Sequence, residues 1–363
     1  MPPTKATIRN MDSESRSGVS PAVAAGIFFR LSSMAVCVAL IIFIPAIALH
    51  AGQRNGGGCP GIGNEVERQG SRDATSCGPP GGGGQGVERK GKTGDSDGDG
   101  GSYLTKLWEL DEGKPRDKYA IVIHRSNYLL PFAYNRSPSR EPYLAEGSSE
   151  NVKEAEVKFQ LSFKVKLWQD LLGRDADLWF GYTQKSFWQL YDFSESSPFR
   201  ETNYEPEMLV NFRTNFNFLG MDARTVTVGL NHQSNGRSGR YSRSWNRIVG
   251  NLGLEKRKFT LLLKTWYRIP EHDDDDNPDL DAYVGYGELW GYYLWKGHRF
   301  GVMLRNNLRS SHNRGAVQLD WGIPLTDRIA FYMQYFNGYG ESLLDYNCGS
   351  NRISLGFTLI DWK

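Results

Sequence analysis

Residues 157 to 167 read Val157-Lys158-Phe159-Gln160-Leu161-Ser162-Phe163-Lys164-Val165-Lys166-Leu167, an unbroken alternation of apolar with polar or basic side chains. Successive side chains of an extended chain point to opposite faces, so one face of this segment is hydrocarbon and the other is Lys, Gln and Ser. The run has about the length that a tilted strand needs to cross a bilayer. One face is for oil, the other for water.

The same alternation returns from Met208 to Phe218, from Thr225 to Ser234, from Ile329 to Tyr335, and at Ile353, Leu355, Phe357 and Leu359. With weaker runs between them, about twelve strands are expected from roughly Lys118 onward. Short connections near 172–175, 219–222, 255–258, 295–298 and 324–327 alternate with longer ones near 132–155, 192–206, 235–242, 269–280, 308–314 and 339–351. Short turns at one end and long loops at the other predict an all-β, antiparallel transmembrane β-barrel of about twelve strands. A soluble sandwich would also alternate, but it would hide its apolar face in a core. Trp179, Phe180, Tyr182, Phe187, Trp188 and Tyr191 instead cluster along one strand, as an interfacial girdle would. The chain finishes on Trp362-Lys363, one residue past the aromatic end usual for outer-membrane strands.

Composition agrees: 363 residues with 41 glycines, 39% hydrophobic and 13% aromatic side chains suit a barrel greasy outside and wet inside. The net charge of +2 selects no partner, and no Lys/Arg block interleaved with aromatics supports nucleic-acid binding. Residues 1–51 read as a secretory signal, basic at Lys5, Arg9, Arg16 and Arg30, apolar from Met34 to Leu49, with cleavage after Ala48 or Ala51. Residues 52–117 read as a glycine-rich flexible linker preceding the barrel domain at 118–363. Within it, Asp95-Ser96-Asp97-Gly98-Asp99-Gly100 imitates half of an EF-hand loop, but Lys106 occupies the twelfth position and a solvated linker is expected. Cys37, Cys59, Cys77 and Cys348 have no metal-ligand spacing; a Cys59–Cys77 disulfide would be structural.

Chemistry concentrates in 231–247, Asn-His-Gln-Ser-Asn-Gly-Arg-Ser-Gly-Arg-Tyr-Ser-Arg-Ser-Trp-Asn-Arg. Val226, Val228, Leu230, His232 and Ser234 share one strand face, so an apolar face ends in an imidazole and a hydroxyl two residues apart. That pairing gives a serine the base it needs before it can attack a carbonyl. Gly236 follows, so a bare N–H could approach a developing oxyanion. If the hairpin closes near residue 239, Asn246 lies across from His232 and orients its ring, completing a Ser-His-Asn triad. A carboxylate in that third place would be a charge stranded against hydrocarbon.

The blocks Asn231 to Ser238, Ser242 to Arg247, Tyr182-Thr183-Gln184-Lys185-Ser186, Glu195 to Pro206, Asp275-Asp276-Asn277-Pro278-Asp279 and Gly338 to Asn347 resemble, in order, those of bacterial outer-membrane phospholipase A. The likeness spans roughly 118–363. It implies a calcium-dependent, multi-pass outer-membrane enzyme, active as a homodimer, that hydrolyses acyl esters of phospholipids and lysophospholipids with phospholipase A1/A2 activity. Carried over by position, Ser234 is the nucleophile, His232 the base, Asn246 the orienting residue and Gly236 the oxyanion donor. Ca²⁺ would take Ser242 through its hydroxyl and Arg237 through its carbonyl, with Ser196 contributed by the partner. Asp276 would belong to a second, regulatory calcium site, where the family has an acidic residue and this chain has Gly239. Gln184 matches a polar dimer contact. Arg237, Arg240, Arg243 and Arg247 are expected to contact lipid phosphates or lipopolysaccharide at the outer surface. The competing classes are a non-catalytic outer-membrane pore and a structural or adhesive barrel, neither of which has a use for His232, Ser234 and Asn246 in this relation.

Overall fold

A computed structural model describes residues 102–110, 119–139, 152–171, 175–271 and 275–362. The signal segment, the linker up to Gly101 with its EF-hand-like run, and Cys37, Cys59 and Cys77 lie outside these residues. Thirteen strands follow one another: β1 (Ile121–Ile123), β2 (Tyr128–Asn135), β3 (Ala155–Trp168), β4 (Ala176–Trp188), β5 (Phe199–Phe218), β6 (Met221–Ser234), β7 (Ser244–Lys256), β8 (Phe259–Ile269), β9 (Gly287–Trp295), β10 (His298–Asn306), β11 (Gly315–Pro324), β12 (Ile329–Gly338) and β13 (Ser350–Leu359). Each pairs antiparallel with its neighbour. β13 pairs with β2 to close the sheet, Tyr134 lying against Ile353 and Leu129 against Phe357. The short β1 continues the line of β2, pairing with a later part of β3. The result is the expected all-β closed barrel of twelve staves.

Alternation sorts the two faces as the sequence of β3 requires. Leu161 is 54% exposed and points outward, while Lys158 and Lys164 are fully buried and point inward. Outward apolar residues on the other staves, among them Val228, Leu230, Ile248, Leu319 and Ile353, leave a hydrocarbon surface far too large for water. Inside, buried charges are paired, as a low-dielectric interior demands. Lys158 donates to Gln334 at 2.6 Å and to Glu341 at 2.8 Å. Arg352 lies between Glu156, at 2.6 Å, and Glu341, at 2.9 Å.

Three expectations change. The aromatic girdle of β4 is divided by the period of two: Trp179 and Phe187 are fully buried inside, while Trp188 stays on the outer side stacked on Phe199. The strand expected from Met208 begins at Phe199, because its upper half turns polar side chains into a polar lumen and so reads like loop. The linker expected to run to residue 117 ends sooner, since Tyr103–Trp108 is a helix, α1, capped by Ser102, whose side chain accepts from the Thr105 N–H at 3.0 Å. Tyr103, Leu104, Trp108 and Leu110 give it an apolar surface, which packs on the inward residues Trp179, Leu209, Val249 and Trp266.

The helix enters at the short-turn end. The Leu104 N–H donates to Glu255 at 2.8 Å, and Arg224 to Thr105 at 3.0 Å. Lys164 lies 3.3 Å from the centre of the Trp108 ring, a desolvated cation–π contact. From the long-loop end, Leu280, Val284, Leu343 and Tyr346 fold into the same apolar cluster. A cavity of about 250 Å³ is left between. Removing residues 102–110 is expected to convert a non-conducting barrel into one with measurable single-channel conductance in planar bilayers; equal silence from both would show that the helix does not stop the lumen.

Trp362 also turns inward, its indole donating to the Gly297 carbonyl at 2.9 Å, which leaves Phe357 and Leu359 as the outward side chains of the last strand.

Candidate active site

The β6–β7 hairpin is held from behind. On its lumen face Asn231 donates to Glu205 at 2.8 Å, and Arg247 reaches both Asn231, at 2.9 Å, and Glu205, at 2.9 Å. Arg125 clamps Glu205 at 2.6 Å and Glu207 at 2.6 Å. Trp245 donates to Gln233 at 2.8 Å, with the Arg247 guanidinium 3.9 Å from the centre of its ring. These partners fix the register, and a slip of one residue would exchange the two faces. Arg247, expected in an outer basic patch, is therefore inside: its odd position on β7 faces the lumen, where it is 7% exposed. Arg240 stays exposed at the long-loop end.

The outer face carries the residues singled out from the sequence. His232 pairs with Asn246, and Ser234 with Ser244. Below them on the same face lie Leu230, 59% exposed, and Ile248, 45% exposed, so the three groups sit on the hydrocarbon-facing wall and not in the lumen. His232 Nδ1 is 2.8 Å from Asn246 Oδ1. An amide oxygen only accepts, so Nδ1 carries the proton and Nε2 is left as the basic nitrogen. No hydrogen bond among the described residues joins the Ser234 hydroxyl to His232; such contacts commonly tighten only when substrate binds.

Gly236 follows Ser234 by two residues with φ of +66°, in the left-handed region, and a Cβ there would meet the Tyr204 ring at 3.1 Å. A side chain at this point would be strained and crowded, which leaves the N–H open. No acceptor among the described residues takes it. Asn235 fastens the loop, accepting from the Arg237 N–H at 3.2 Å and the Arg243 N–H at 3.0 Å and donating to the Tyr241 carbonyl at 2.9 Å.

Oxygen donors gather beside this loop. The Ser242 hydroxyl donates to Asp276 at 2.5 Å, and the carbonyl of Arg237 belongs to the same loop. Hydroxyl, carboxylate and carbonyl oxygens are the ligands that a hard cation such as Ca²⁺ takes. Gly239 adopts φ of +63°, a conformation that an acidic side chain would enter only with strain. Ser196 is exposed between β4 and β5, and no hydrogen bond among the described residues links it to Ser242.

The acidic loop that carries Asp276 is tied to the hairpin at further points. Asn277 accepts from the Ser244 N–H at 3.1 Å, and the Tyr346 hydroxyl donates to Asp279. Burial, with the Asp279 carboxylate beside it, raises the Tyr346 pKa, so the phenol keeps the proton that clasps the two loops. Gln184 lies on the outer wall in one row of pairs, Leu161–Gln184–Tyr204–Ser234. Among the described residues its amide is met only by long bonds, 3.3 Å from Tyr182 and 3.3 Å to Ser186.

The sequence reading passed over one neighbour. Asn246 Nδ2 donates to Glu271 Oε1 at 2.6 Å. Glu271 falls just past the end of β8 and shares the parity of Tyr267 and Ile269, which pair with Ile248 and Asn246. That parity was the available signal, masked by Pro270 and the acidic loop after it.

The family model described as Phospholipase A1 matches residues 104–359. Phospholipase A1 of Klebsiella pneumoniae is 37% identical over 264 residues, covering 72% of this chain and 88% of that protein. The solved dimer of outer membrane phospholipase from Salmonella typhi with bound calcium is 36% identical, covers 71% of this chain and 97% of its own, and superposes with a TM-score of 0.65. An active-site mutant of outer membrane phospholipase A from Escherichia coli, with an asparagine changed to alanine, is 37% identical over 71% of this chain and 97% of its own, with a TM-score of 0.64.

Proposed function

Because this chain belongs to the phospholipase A1 family, and is a bacterial outer-membrane β-barrel phospholipase, we propose that Ser234, His232 and Asn246 on its lipid-facing wall carry out acyl-ester hydrolysis. The observation that carries this reading is the 2.8 Å contact between His232 Nδ1 and Asn246 Oδ1 beside Ser234, on the outward face that also carries Leu230 and Ile248. The asparagine named as an active-site position in the Escherichia coli mutant supports the amide as third member.

Ser234 Oγ attacks the ester carbonyl carbon while His232 Nε2 takes its proton. Negative charge collects on the former carbonyl oxygen, where the Gly236 N–H donates to it. Collapse expels the glycerol oxygen, which leaves with the proton held by His232. Water, deprotonated by the same nitrogen, then cleaves the acyl-enzyme and frees the fatty acid. Throughout, Asn246 accepts from Nδ1 and keeps Nε2 basic. Phospholipid reaches the site within the membrane plane, since the nucleophile faces outward.

Ser242, Arg237 through its carbonyl, and Ser196 of the partner subunit would hold Ca²⁺, while Asp276 would serve a second, regulatory ion; when bound, the first ion supplies positive charge near the oxyanion. Gly239 leaves a second, regulatory site one carboxylate short. The bound calcium and dimeric state of the Salmonella typhi neighbour favour a calcium-dependent homodimer here. Gln184 would be its polar contact, because an amide with long internal bonds in a hydrocarbon wall gains from a partner across an interface. Arg240 and Arg243 would meet lipid phosphates or lipopolysaccharide. The pore reading is opposed by α1, which packs inside the lumen at the short-turn end.

The test is fatty-acid release from phospholipid–detergent mixed micelles, with Ca²⁺ and with chelator, alongside chemical crosslinking. Release and a crosslinked dimer are expected in Ca²⁺, with both reduced at least about tenfold by chelator. Equal release under both conditions would remove the metal from the proposal, and no release under either would remove the chemistry.

A further inference from the structure

We infer that Glu271 is a positioning residue for the proposed Ser234–His232–Asn246 triad, and that its carboxylate is the reason an amide stands in the third place. Asn246 lies on β7 with β6 on one flank and β8 on the other. From β6, His232 Nδ1 approaches the amide oxygen at 2.8 Å; from beyond β8, Glu271 takes the amide N–H at 2.6 Å. An amide has two ends of opposite character, and only one orientation satisfies both neighbours. Glu271 fixes that orientation, since a carboxylate accepts and cannot donate. Nδ1 is then held as donor and Nε2 stays free to take the Ser234 proton. Without Glu271 the amide can rotate, present N–H to Nδ1 and favour the tautomer with its proton on Nε2, which is useless as a base.

The same geometry accounts for the asparagine. An aspartate at 246 would set two carboxylates 2.6 Å apart, and like charges at that distance cannot both ionise. The amide donates to one neighbour while accepting from the other, and a carboxylate does only one of these.

This inference rests on the triad reading, and the variants separate the two. In full-length protein in Ca²⁺ mixed micelles, Glu271→Ala is expected to lower kcat about 30-fold with KM unchanged, in the range typical for residues that orient a reacting group. Glu271→Gln should stay within about threefold of the parent, because its carbonyl still accepts from Asn246. Asn246→Asp should be crippled, and Asn246→Asp combined with Glu271→Gln should recover at least about tenfold, since the new amide can donate to the new carboxylate. ¹⁵N spectra of histidine-labelled protein should show His232 protonated on Nδ1 in the parent and mixed tautomers in Glu271→Ala. A merely structural glutamate would give neither the rescue nor the tautomer change. Parent-like kcat in Glu271→Ala, or a double variant no better than Asn246→Asp alone, would overturn the assignment while leaving the triad intact if Ser234→Ala remains inactive. An active Ser234→Ala would end both.

Discussion

Replacing Ser234 by alanine is expected to lower fatty-acid release from mixed micelles by about 10⁴-fold or more in saturating Ca²⁺. The expectation follows from what remains after the hydroxyl is gone. His232 still holds its proton on Nδ1 through Asn246, and Gly236 still offers its N–H, but the hydroxyl that would form the acyl-enzyme is gone. A water would have to replace Oγ on an apolar surface beside Leu230 and Tyr204, without the orientation that covalent attachment to β6 gives. Because Ser234 is partly exposed and its hydroxyl makes no hydrogen bond among the described residues, the substitution should cost the barrel little stability, so a parent-like unfolding curve beside the lost activity separates chemistry from folding. Activity within tenfold of the parent would exclude Ser234 as nucleophile.

Glu205→Leu has the largest expected effect on stability. This carboxylate accepts from Arg125, Arg247 and Asn231 on the lumen face of the strands that carry the proposed triad. Its loss removes the carboxylate that Arg247 bonds and leaves that buried guanidinium on the amides Asn231 and Gln233, and removing one partner of a buried pair typically costs about 3–5 kcal/mol. Arg125 retains Glu207, at 2.6 Å, which places the expected loss near the lower end, about 3 kcal/mol. Urea unfolding in micelles is the measurement, and a change below about 1 kcal/mol would show that water in the lumen solvates Arg247 adequately. The same variant should also lower activity at temperatures where it is still folded, because Asn231 and Arg247 set the register that puts His232 opposite Asn246.

Much of this was legible in the chain because a membrane strand states its two faces explicitly. In β3 lysines alternate with apolar residues, and no soluble core would take that pattern; the hairpin 231–247 carries the same logic to His232 and Asn246. What could not be read is whatever depends on how the lumen is filled. Trp179 and Phe187 looked like girdle residues because an aromatic ring suits an interface as well as a packed interior, and only the parity of β4 against its neighbours assigns them. Helix α1 is a single turn and a half that gains its stability from the barrel, so local sequence offered little to distinguish it from the glycine-rich stretch before it. The first half of β5 was read as loop because Glu201, Asn203 and Glu205 are hydrophilic, although they face inward to buried partners. Glu271 escaped for a related reason. Its role is set by a pairing across β7 and β8, while its immediate neighbours in sequence announce a solvated turn.

The seam between β2 and β13 has a consequence for biogenesis. The first complete stave finds its second partner only in the last strand to be synthesised, so every shorter nascent chain presents two unpaired rims with their amides and carbonyls bare. Such a chain cannot settle strand by strand as it emerges. It must be kept from sticking to its neighbours until the final strand arrives, and assembly should therefore be all-or-none, with carboxy-terminal truncations degraded or aggregated instead of partly inserted.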